Sequence, residues 1–189
     1  MKVLRERKDR KIWLSQKGYV EKVLQHFNMQ NAKLVSTPFP IQLKLSAEQS
    51  PSIEAEKADM AQVSYSSVVG SLLFAMVCTR PDIAQAVRVM SRYIANLGSD
   101  HWTVVKWILW YLRETTNHSL CYGSAGLECI GYVDSDFAGD QDKKRFTTGY
   151  VFSMGGGAIS WESKLQSAMA LLMIEAEYIA VAHTCKEAI

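Results

Sequence analysis

The chain has 189 residues, of which 48% are apolar and 21% are charged, so it can bury a core and is neither disordered nor fibrous. Its net charge of +2 is too small to indicate nucleic-acid binding by itself. The four cysteines lack the spacing of zinc ligands, and no segment has the pattern of a signal peptide or a membrane span. We therefore expect an intracellular protein, cytoplasmic or nuclear, that is not secreted and has no membrane partner.

The first part of the chain combines a hairpin with one helix. Residues 2–16 alternate around a charged turn, which predicts two antiparallel strands. Residues 16–27 carry apolar side chains at helical spacing, which predicts an amphipathic helix. Residues 41–62 have weak periodicity, and we expect a surface connection there with at most one short helical turn.

Three helices are predicted next, over residues 65–78, 81–96 and 100–114, the second with a proline at its first position. They should pack together through eight apolar side chains: Val69, Leu72, Leu73, Ile83, Val87, Trp102, Val105 and Ile108. Tryptophans in the third helix could stack on nucleobases, although packing against a neighbouring element is the more common role of tryptophan at this spacing.

After residue 117 the pattern alternates, which predicts short strands up to residue 163 and then a helix that starts near Ile174. The predicted fold class is α+β, in which a helical segment precedes an antiparallel three-stranded meander and a helix.

Acidic residues are the main candidates for chemistry. Asp134 and Asp136 lie near the end of a predicted strand, whereas Glu175 and Glu177 open the last helix. Carboxylates that meet in this way repel one another unless a divalent cation joins them, and oxygen ligands suit Mg²⁺ or Mn²⁺. Such sites hydrolyse phosphodiesters. The alternative is that these acids are solvated residues of a strand end and a first helical turn.

Two basic clusters could contact phosphates, with an affinity that falls as salt rises. Arg5, Arg7 and Lys8 belong to the first hairpin, and a second cluster, Lys143-Lys144-Arg145, follows the acidic strand. Solvated charged turns remain the alternative for both clusters.

Several segments, in order along nearly the whole chain, resemble one known family. They are Leu14-Ser15-Gln16, Thr37-Pro38, Val63-Ser64-Tyr65, Cys78-Thr79-Arg80-Pro81-Asp82-Ile83-Ala84, His101-Trp102, Gly149-Tyr150-Val151-Phe152 and Gly156-Gly157-Ala158-Ile159-Ser160-Trp161. The chain is similar in these segments to the Pol polyprotein of Copia-type LTR retrotransposons, and in particular to plant elements.

This resemblance implies three parts. Residues 1–62 would be the end of the reverse transcriptase palm and a thumb segment, residues 63–117 a helical connection, and residues 118–189 the first half of a ribonuclease H-like domain. In that domain Asp134 and Glu177 match catalytic positions and would bind metal with Asp136. The implied parent activity is hydrolysis of the RNA strand of RNA–DNA hybrids with Mg²⁺ or Mn²⁺. The implied partners are such a hybrid and the remainder of Pol.

The resemblance also predicts that the chain alone is inactive. It contains no Tyr-x-Asp-Asp polymerase motif, and the remaining ribonuclease H aspartates are expected beyond Ile189. Leu172 and Met173 replace residues that are usually Ser or Thr, and Phe146 replaces a small hydroxyl residue, which we interpret as drift. The alternative to a polyprotein fragment with a nuclease parent is a nonenzymatic nucleic-acid-binding or inert fragment.

Overall fold

The computed structural model describes residues 1–40, 45–61, 64–123, 126–136, 142 and 145–189. Within them the fold is mixed α+β, with six α-helices and two three-stranded antiparallel sheets. The chain divides into two compact units, one with residues 1–3 and 14–119 and the other with residues 4–13 and 120–189. The predicted α+β class is confirmed. The ribonuclease H-like assignment and the boundaries at residues 62 and 117 stay predictions.

The N-terminal hairpin forms as predicted. Its strands are β1 (Lys2–Glu6) and β2 (Lys11–Ser15), and a third strand, β3 (Ser119–Tyr122), completes a sheet of order β1-β2-β3. Gly123 follows β3 with a φ of 105°, and a Cβ there would lie 2.0 Å from the Arg10 carbonyl oxygen. Only glycine therefore allows this close approach of the two backbones.

Five helices build most of the first unit. They are α1 (Lys17–His26), α2 (Glu54–Ala61), α3 (Tyr65–Thr79), α4 (Ala84–Ser91) and α5 (Ser99–Glu114). The short connections between α3, α4 and α5 make them neighbours, and each helix packs against the other two. Among the described residues, no helix is long and apolar enough to cross a membrane.

Helices α3, α4 and α5 share one core. Six of the eight residues predicted for it are buried, and the other two, Leu73 and Trp102, are half-buried. The largest fully buried apolar side chains are Val68, Val69, Leu72, Ile83, Val87, Met90, Val104, Val105, Ile108, Leu109 and Leu112. The predicted helical cluster is therefore confirmed.

The polar residue His101 is also fully buried at the start of α5, and its ring stacks on Tyr93 with 4.1 Å between ring centroids. Its Nδ1 accepts the Gly98 N–H at 2.9 Å, and its Nε2 lies 3.2 Å from the Ser46 carbonyl oxygen. Since a carbonyl can only accept, the Nε2 carries the proton. The imidazole thus caps α5 and ties it to a distant loop.

The second sheet has the order β4-β5-β6, formed by β4 (Ile130–Asp136), β5 (Thr147–Met154) and β6 (Gly157–Leu165). Both pairings are antiparallel, with a register shift between Phe152 and Ser153. Helix α6 (Met173–Glu187) follows and packs on β4 and β5. The predicted meander followed by a helix is confirmed.

Two predicted elements differ from the structure. The expected connection contains a 3₁₀ turn (Ala47–Gln49) and all of α2, an eight-residue helix with a Glu54–Lys57 pair at 2.9 Å; residues 41–44 and 62 lie outside the described residues. The predicted helix over residues 81–96 begins as a 3₁₀ turn (Pro81–Ile83) and ends at Ser91. Apolar periodicity located these helices only roughly because capping and tertiary contacts set their ends.

Candidate functional site

The two strand acids occupy the carboxyl end of β4. Antiparallel pairing places Asp134 opposite Gly149 and Asp136 opposite Thr147. Both carboxylates are exposed, and the Asp134 Oδ1 accepts the Ser135 backbone N–H at 2.9 Å. Because alternate residues of a strand share a face, Asp134 and Asp136 point to the same side of the sheet. That shared orientation is what the sequence predicted.

The two acids of α6 have different surroundings. Glu175 accepts the Leu171 backbone N–H through its Oε2 at 2.8 Å, so its carboxylate caps the chain just ahead of the helix. Glu177 is exposed and lies at the border of the buried stripe formed by Ala176 and Ala180, since successive helical residues rotate by about 100°. Glu177 is thus the α6 acid that does not cap the helix start.

Gln166 identifies the face of the sheet that α6 covers. Its Nε2 donates to the Thr148 Oγ1 at 3.1 Å and to the Ala176 carbonyl oxygen at 2.8 Å. Farther along the helix, the His183 ring lies 6.2 Å from the Tyr150 ring. Helix α6 therefore packs over the side of β5 that carries Thr148 and Tyr150.

The register then assigns the residues of β4 to the two faces. Ser135 lies opposite Thr148, and Val133 lies opposite Tyr150, so Ser135 and Val133 point toward α6. Asp134 and Asp136 alternate with them and point to the other face. Asp134 and Glu177 could therefore share a ligand only if it lay beyond the carboxyl end of β4.

These positions determine what the acids can bind as they stand. In the described part of the chain, no group of three or more His, Cys, Asp or Glu side chains is arranged to hold a metal ion. The described acids therefore do not fit a two-metal centre, which requires several carboxylates around both ions. The metal-ligand roles predicted for Asp134, Asp136 and Glu177 stay predictions.

The first basic cluster lies on the hairpin. Arg5 is on β1, and Arg7 and Lys8 belong to the turn between β1 and β2; all three are exposed. The turn ends at Arg10, which has a positive φ of 55°. Arg7, Lys8 and Arg10 are three of the four residues of this turn, so the hairpin presents a positively charged end to solvent.

The second basic cluster is only partly described. Lys143 and Lys144 lie outside the described residues, whereas Arg145 is half-buried immediately before Phe146. Phe146 is 4% exposed and packs with Ala170 and Ala176 beneath α6. Interpreting Phe146 as drift therefore missed that its ring fills the core of the second unit.

The tryptophans of α5 hold a neighbouring segment of the first unit. The Trp107 Nε1 donates to the Thr37 carbonyl oxygen at 2.9 Å, and the Lys33 ammonium lies 4.9 Å and 4.0 Å from the ring centroids of Trp107 and Trp110. Arg113 also donates to the Ala32 carbonyl oxygen. These contacts favour the packing interpretation over base stacking, because the lysine occupies the ring faces.

A polar cluster that the sequence did not predict joins the end of α3, the following 3₁₀ turn and the end of α5. The Arg80 side chain is 3% exposed; its Nε and Nη2 donate to the two carboxylate oxygens of Asp82 at 2.9 and 2.7 Å. Arg80 also donates to the Thr115 carbonyl oxygen at 3.2 Å, and the Tyr111 hydroxyl donates to Asp82 at 2.8 Å. The motif Thr79-Arg80-Pro81-Asp82 thus encodes a buried junction between helices.

Protonation in this cluster follows from its contacts. Burial opposes ionisation of Asp82, but the hydrogen bonds and charge of Arg80, together with the Tyr111 hydroxyl, hold the Asp82 pKa below its ordinary value. Burial and the bond to Asp82 raise the pKa of Tyr111. Asp82 is thus ionised and Tyr111 neutral near pH 7, the states that their hydrogen bond requires.

A second motif contact ties the N-terminal segment to α3. The Thr79 Oγ1 donates to the Gln16 Oε1 at 2.7 Å, and both residues are 3% exposed. The motifs Leu14-Ser15-Gln16 and Cys78-Thr79-Arg80-Pro81-Asp82 are far apart in sequence but meet at this bond. Their pairing could have been found only from spatial information.

Comparison with known proteins identifies relatives of this chain. It is 57% identical over 189 residues to the retrovirus-related Pol polyprotein from transposon TNT 1-94 of Nicotiana tabacum and 35% identical over 175 residues to that from transposon RE2 of Arabidopsis thaliana. It is also 41% identical over 131 residues to secreted RxLR effector protein 161 of Plasmopara viticola. No protein-family model and no solved structure matches.

The matches cover different shares of the proteins compared. They include 100%, 92% and 69% of this chain for TNT 1-94, RE2 and the effector, respectively. The chain spans 14% of the TNT 1-94 polyprotein and 12% of the RE2 polyprotein, but 92% of the effector protein. The chain is thus homologous to a segment of retrovirus-related Pol polyproteins from plant Copia-type transposons.

Proposed function

We propose that the chain corresponds to the C-terminal part of reverse transcriptase joined to the first half of a ribonuclease H domain in a Copia-type Pol polyprotein. The observation that carries this proposal is the 57% identity to a transposon Pol polyprotein along all 189 residues. The order of elements is the one that this proposal requires, a strand that carries Asp134 followed by a helix that carries Glu177 and packs on the same sheet, although Asp134 points to the face that α6 does not cover.

The parent polyprotein would hydrolyse the RNA strand of RNA–DNA hybrids. Divalent metal would supply water activation and charge stabilisation there. The described acids of this chain do not fit such a centre, so we expect the isolated chain to bind a hybrid without cutting it. The binding residues proposed are Arg5, Arg7, Lys8, Lys143, Lys144 and Arg145.

A cleavage assay tests the catalytic half of the proposal. Purified chain is incubated with a labelled RNA–DNA hybrid and Mg²⁺ or Mn²⁺, in parallel with the variants Asp134→Asn and Glu177→Gln. Equal background for all three proteins is expected. Cleavage by the unmodified chain that both substitutions abolish would overturn the proposed inactivity and show that the acids present suffice.

The second candidate function is nonenzymatic nucleic-acid binding. It is favoured by the exposed positive end of the hairpin, where Arg5 at the end of β1 is followed by Arg7 and Lys8 in the turn. Neutralising Arg5, Arg7 and Lys8 to alanine should weaken hybrid binding and reduce its salt dependence, whereas neutralising Lys22, Lys57 and Lys186 should not. Undetectable binding of the unmodified chain at low salt would leave an inert fragment as the remaining description.

A further inference from the structure

Helices α1 and α5 pack against each other in the first unit and border a groove with a volume of about 260 Å³. Lys17, Glu21 and Leu24 contribute the α1 wall, because residues one and two helical turns apart share a face. Arg113, in the last turn of α5, and Asn117, just after that helix, contribute the opposite wall. The buried Leu24 gives the groove an apolar base, and its remaining lining is polar.

Hydrogen-bond donors predominate among the side chains of this groove. Lys17 and Arg113 are cations, and Gln30 and Asn117 are exposed primary amides with two N–H donors each. Glu21 carries the one negative charge among the described lining residues. The groove therefore favours an anion that has several acceptor oxygens.

Both cations can contact a further partner. The Lys17 Nζ lies 4.0 Å from the Glu21 Oε1, and the two side chains are 54% and 55% exposed, so this ion pair contributes little and can exchange for a ligand. Arg113 donates to the Ala32 carbonyl oxygen, which holds its guanidinium in place. That bond uses only some of the N–H donors of a guanidinium.

The two helix ends at the groove are compatible with a negative charge. Lys17 is the first residue of α1, and the first turn of that helix contains no acid, so the positive end of its dipole is not neutralised there. The final carbonyls of α5 would repel an anion, but the Thr116 hydroxyl bonds those of Leu112 and Arg113 at 2.8 Å. This contact weakens the repulsion.

We propose that the groove binds the phosphate group of a phosphate ester. A phosphate offers three acceptor oxygens to donors on different sides and pairs well with a guanidinium, whereas a carboxylate has its two oxygens in one plane. The groove is larger than a phosphate needs, since a water molecule in the liquid takes up about 30 Å³, so the attached group also fits. This inference goes beyond the proposed function, because no lining residue is among the acids or basic residues proposed there.

The side-chain amides of Gln30 and Asn117 report on this site directly. In proton–nitrogen correlation spectra both resonances should shift saturably with adenosine 5′-monophosphate, with a dissociation constant on the order of 1 mM. Adenosine and acetate should leave them unchanged. A thymidine hexamer without terminal phosphates tests internal phosphates. If it shifts the same resonances, the ligand is a nucleic-acid strand, whereas a response to the mononucleotide alone identifies a free ester.

Charge variants test which side chains bind the phosphate. Arg113→Gln and Lys17→Gln should each weaken mononucleotide binding about fivefold, because each removes a cation from the groove. Glu21→Gln should strengthen binding by a similar factor, since it removes the repulsive charge. The controls Lys22→Gln and Glu114→Gln alter exposed residues of the same helices that do not line the groove, and they should leave the affinity unchanged.

Several results would overturn the proposal. They are the absence of a saturable shift with both phosphate esters, an equal response to adenosine, and weaker binding by Glu21→Gln. Binding that follows net charge alone, so that Lys22→Gln loses as much affinity as Lys17→Gln, would also overturn it. The gain expected for Glu21→Gln is informative because misfolding does not produce it.

Two further measurements separate this result from other effects. Arg113→Gln also loses the bond to Ala32, so circular dichroism and an unchanged urea midpoint should show that its weaker binding is not unfolding. Replacing Arg5, Arg7 and Lys8 with alanine should keep the mononucleotide affinity. Loss of binding in that hairpin variant would contradict the groove as the site, whatever the outcome of the nuclease and hybrid-binding assays.

Discussion

Arg80 and Asp82 form a bidentate ion pair at the junction between α3 and α4, with N–O distances of 2.9 and 2.7 Å. The guanidinium is almost completely buried, and its remaining contacts reach Thr115 at the end of α5. A buried guanidinium requires such partners, because an unpaired charge in the core costs several kcal/mol. This pair therefore links the end of α3 and the following 3₁₀ turn to the end of α5.

The Asp82 pair predicts an acid-dependent loss of stability. The Asp82 pKa is lower in the folded chain than the value of about 3.9 in the unfolded chain, so above about pH 4 its stabilisation is complete. As the pH falls toward the folded pKa, the unfolded chain binds the proton first and the free energy of unfolding decreases. Urea unfolding of the first unit, followed by tryptophan fluorescence, measures this decrease.

The variant Asp82→Asn isolates that contribution from those of other acids. Its free energy of unfolding should be lower near pH 7 and should fall less steeply below about pH 4 than that of the unmodified chain. Glu114→Gln, an exposed α5 acid, serves as the control and should keep the original slope. Identical slopes for Asp82→Asn and the unmodified chain would contradict the assigned pair.

The bond between Thr79 and Gln16 predicts a measurable coupling. Thr79→Val keeps the side-chain shape but leaves the buried Gln16 Oε1 without this donor, which should cost about 1–3 kcal/mol. Adding Gln16→Leu removes the unpaired amide, so the double variant should lose less than the sum of the single losses. A double-mutant cycle on unfolding free energies measures the coupling, and strict additivity would show that the bond contributes nothing.

The burial of Phe146 predicts that its replacement destabilises the second unit, whereas the interpretation as drift implies no such loss. Phe146→Ser would restore the residue type expected from the resemblance but would empty a core position that is 4% exposed. The expected loss is about 3–5 kcal/mol in the second unit. Hydrogen exchange of the α6 amides measures it, and Tyr178→Ser at a site 74% exposed is the control. Equal protection in both variants would support drift at this position.

Local patterns predicted most elements of this fold but not their partners. Alternation of apolar and polar residues identified β4, β5 and β6, and helical spacing identified α3 and α5. An element that buries one face carries apolar residues at the regular spacing of that element. The short strand β3 was expected in the C-terminal meander, yet it pairs with β2, and four residues cannot specify a partner. α2 has no described buried side chain and carried almost no apolar signal.

The candidate site was predictable only as a set of residue types. Asp134 at the end of β4 and Glu177 in α6 could be placed from the strand and helix patterns. Which face α6 covers depends on Gln166, whose two hydrogen bonds join residues from different elements. The buried cluster around Arg80 was missed for the same reason, since its partners come from the 3₁₀ turn after α3 and from the end of α5, and no pattern in the sequence indicates that these elements meet.

The central proposal is that residues 118–189 of this chain are the first half of a ribonuclease H domain. The direct measurement is hybrid cleavage by a chimera in which the segment that follows the matched region of the tobacco TNT 1-94 polyprotein is fused after Ile189. We predict Mg²⁺-dependent cutting of the RNA strand that disappears with Asp134→Asn and with Glu177→Gln, whereas Glu175→Gln retains activity. A folded chimera without cleavage, or cleavage that survives both substitutions, would contradict the account.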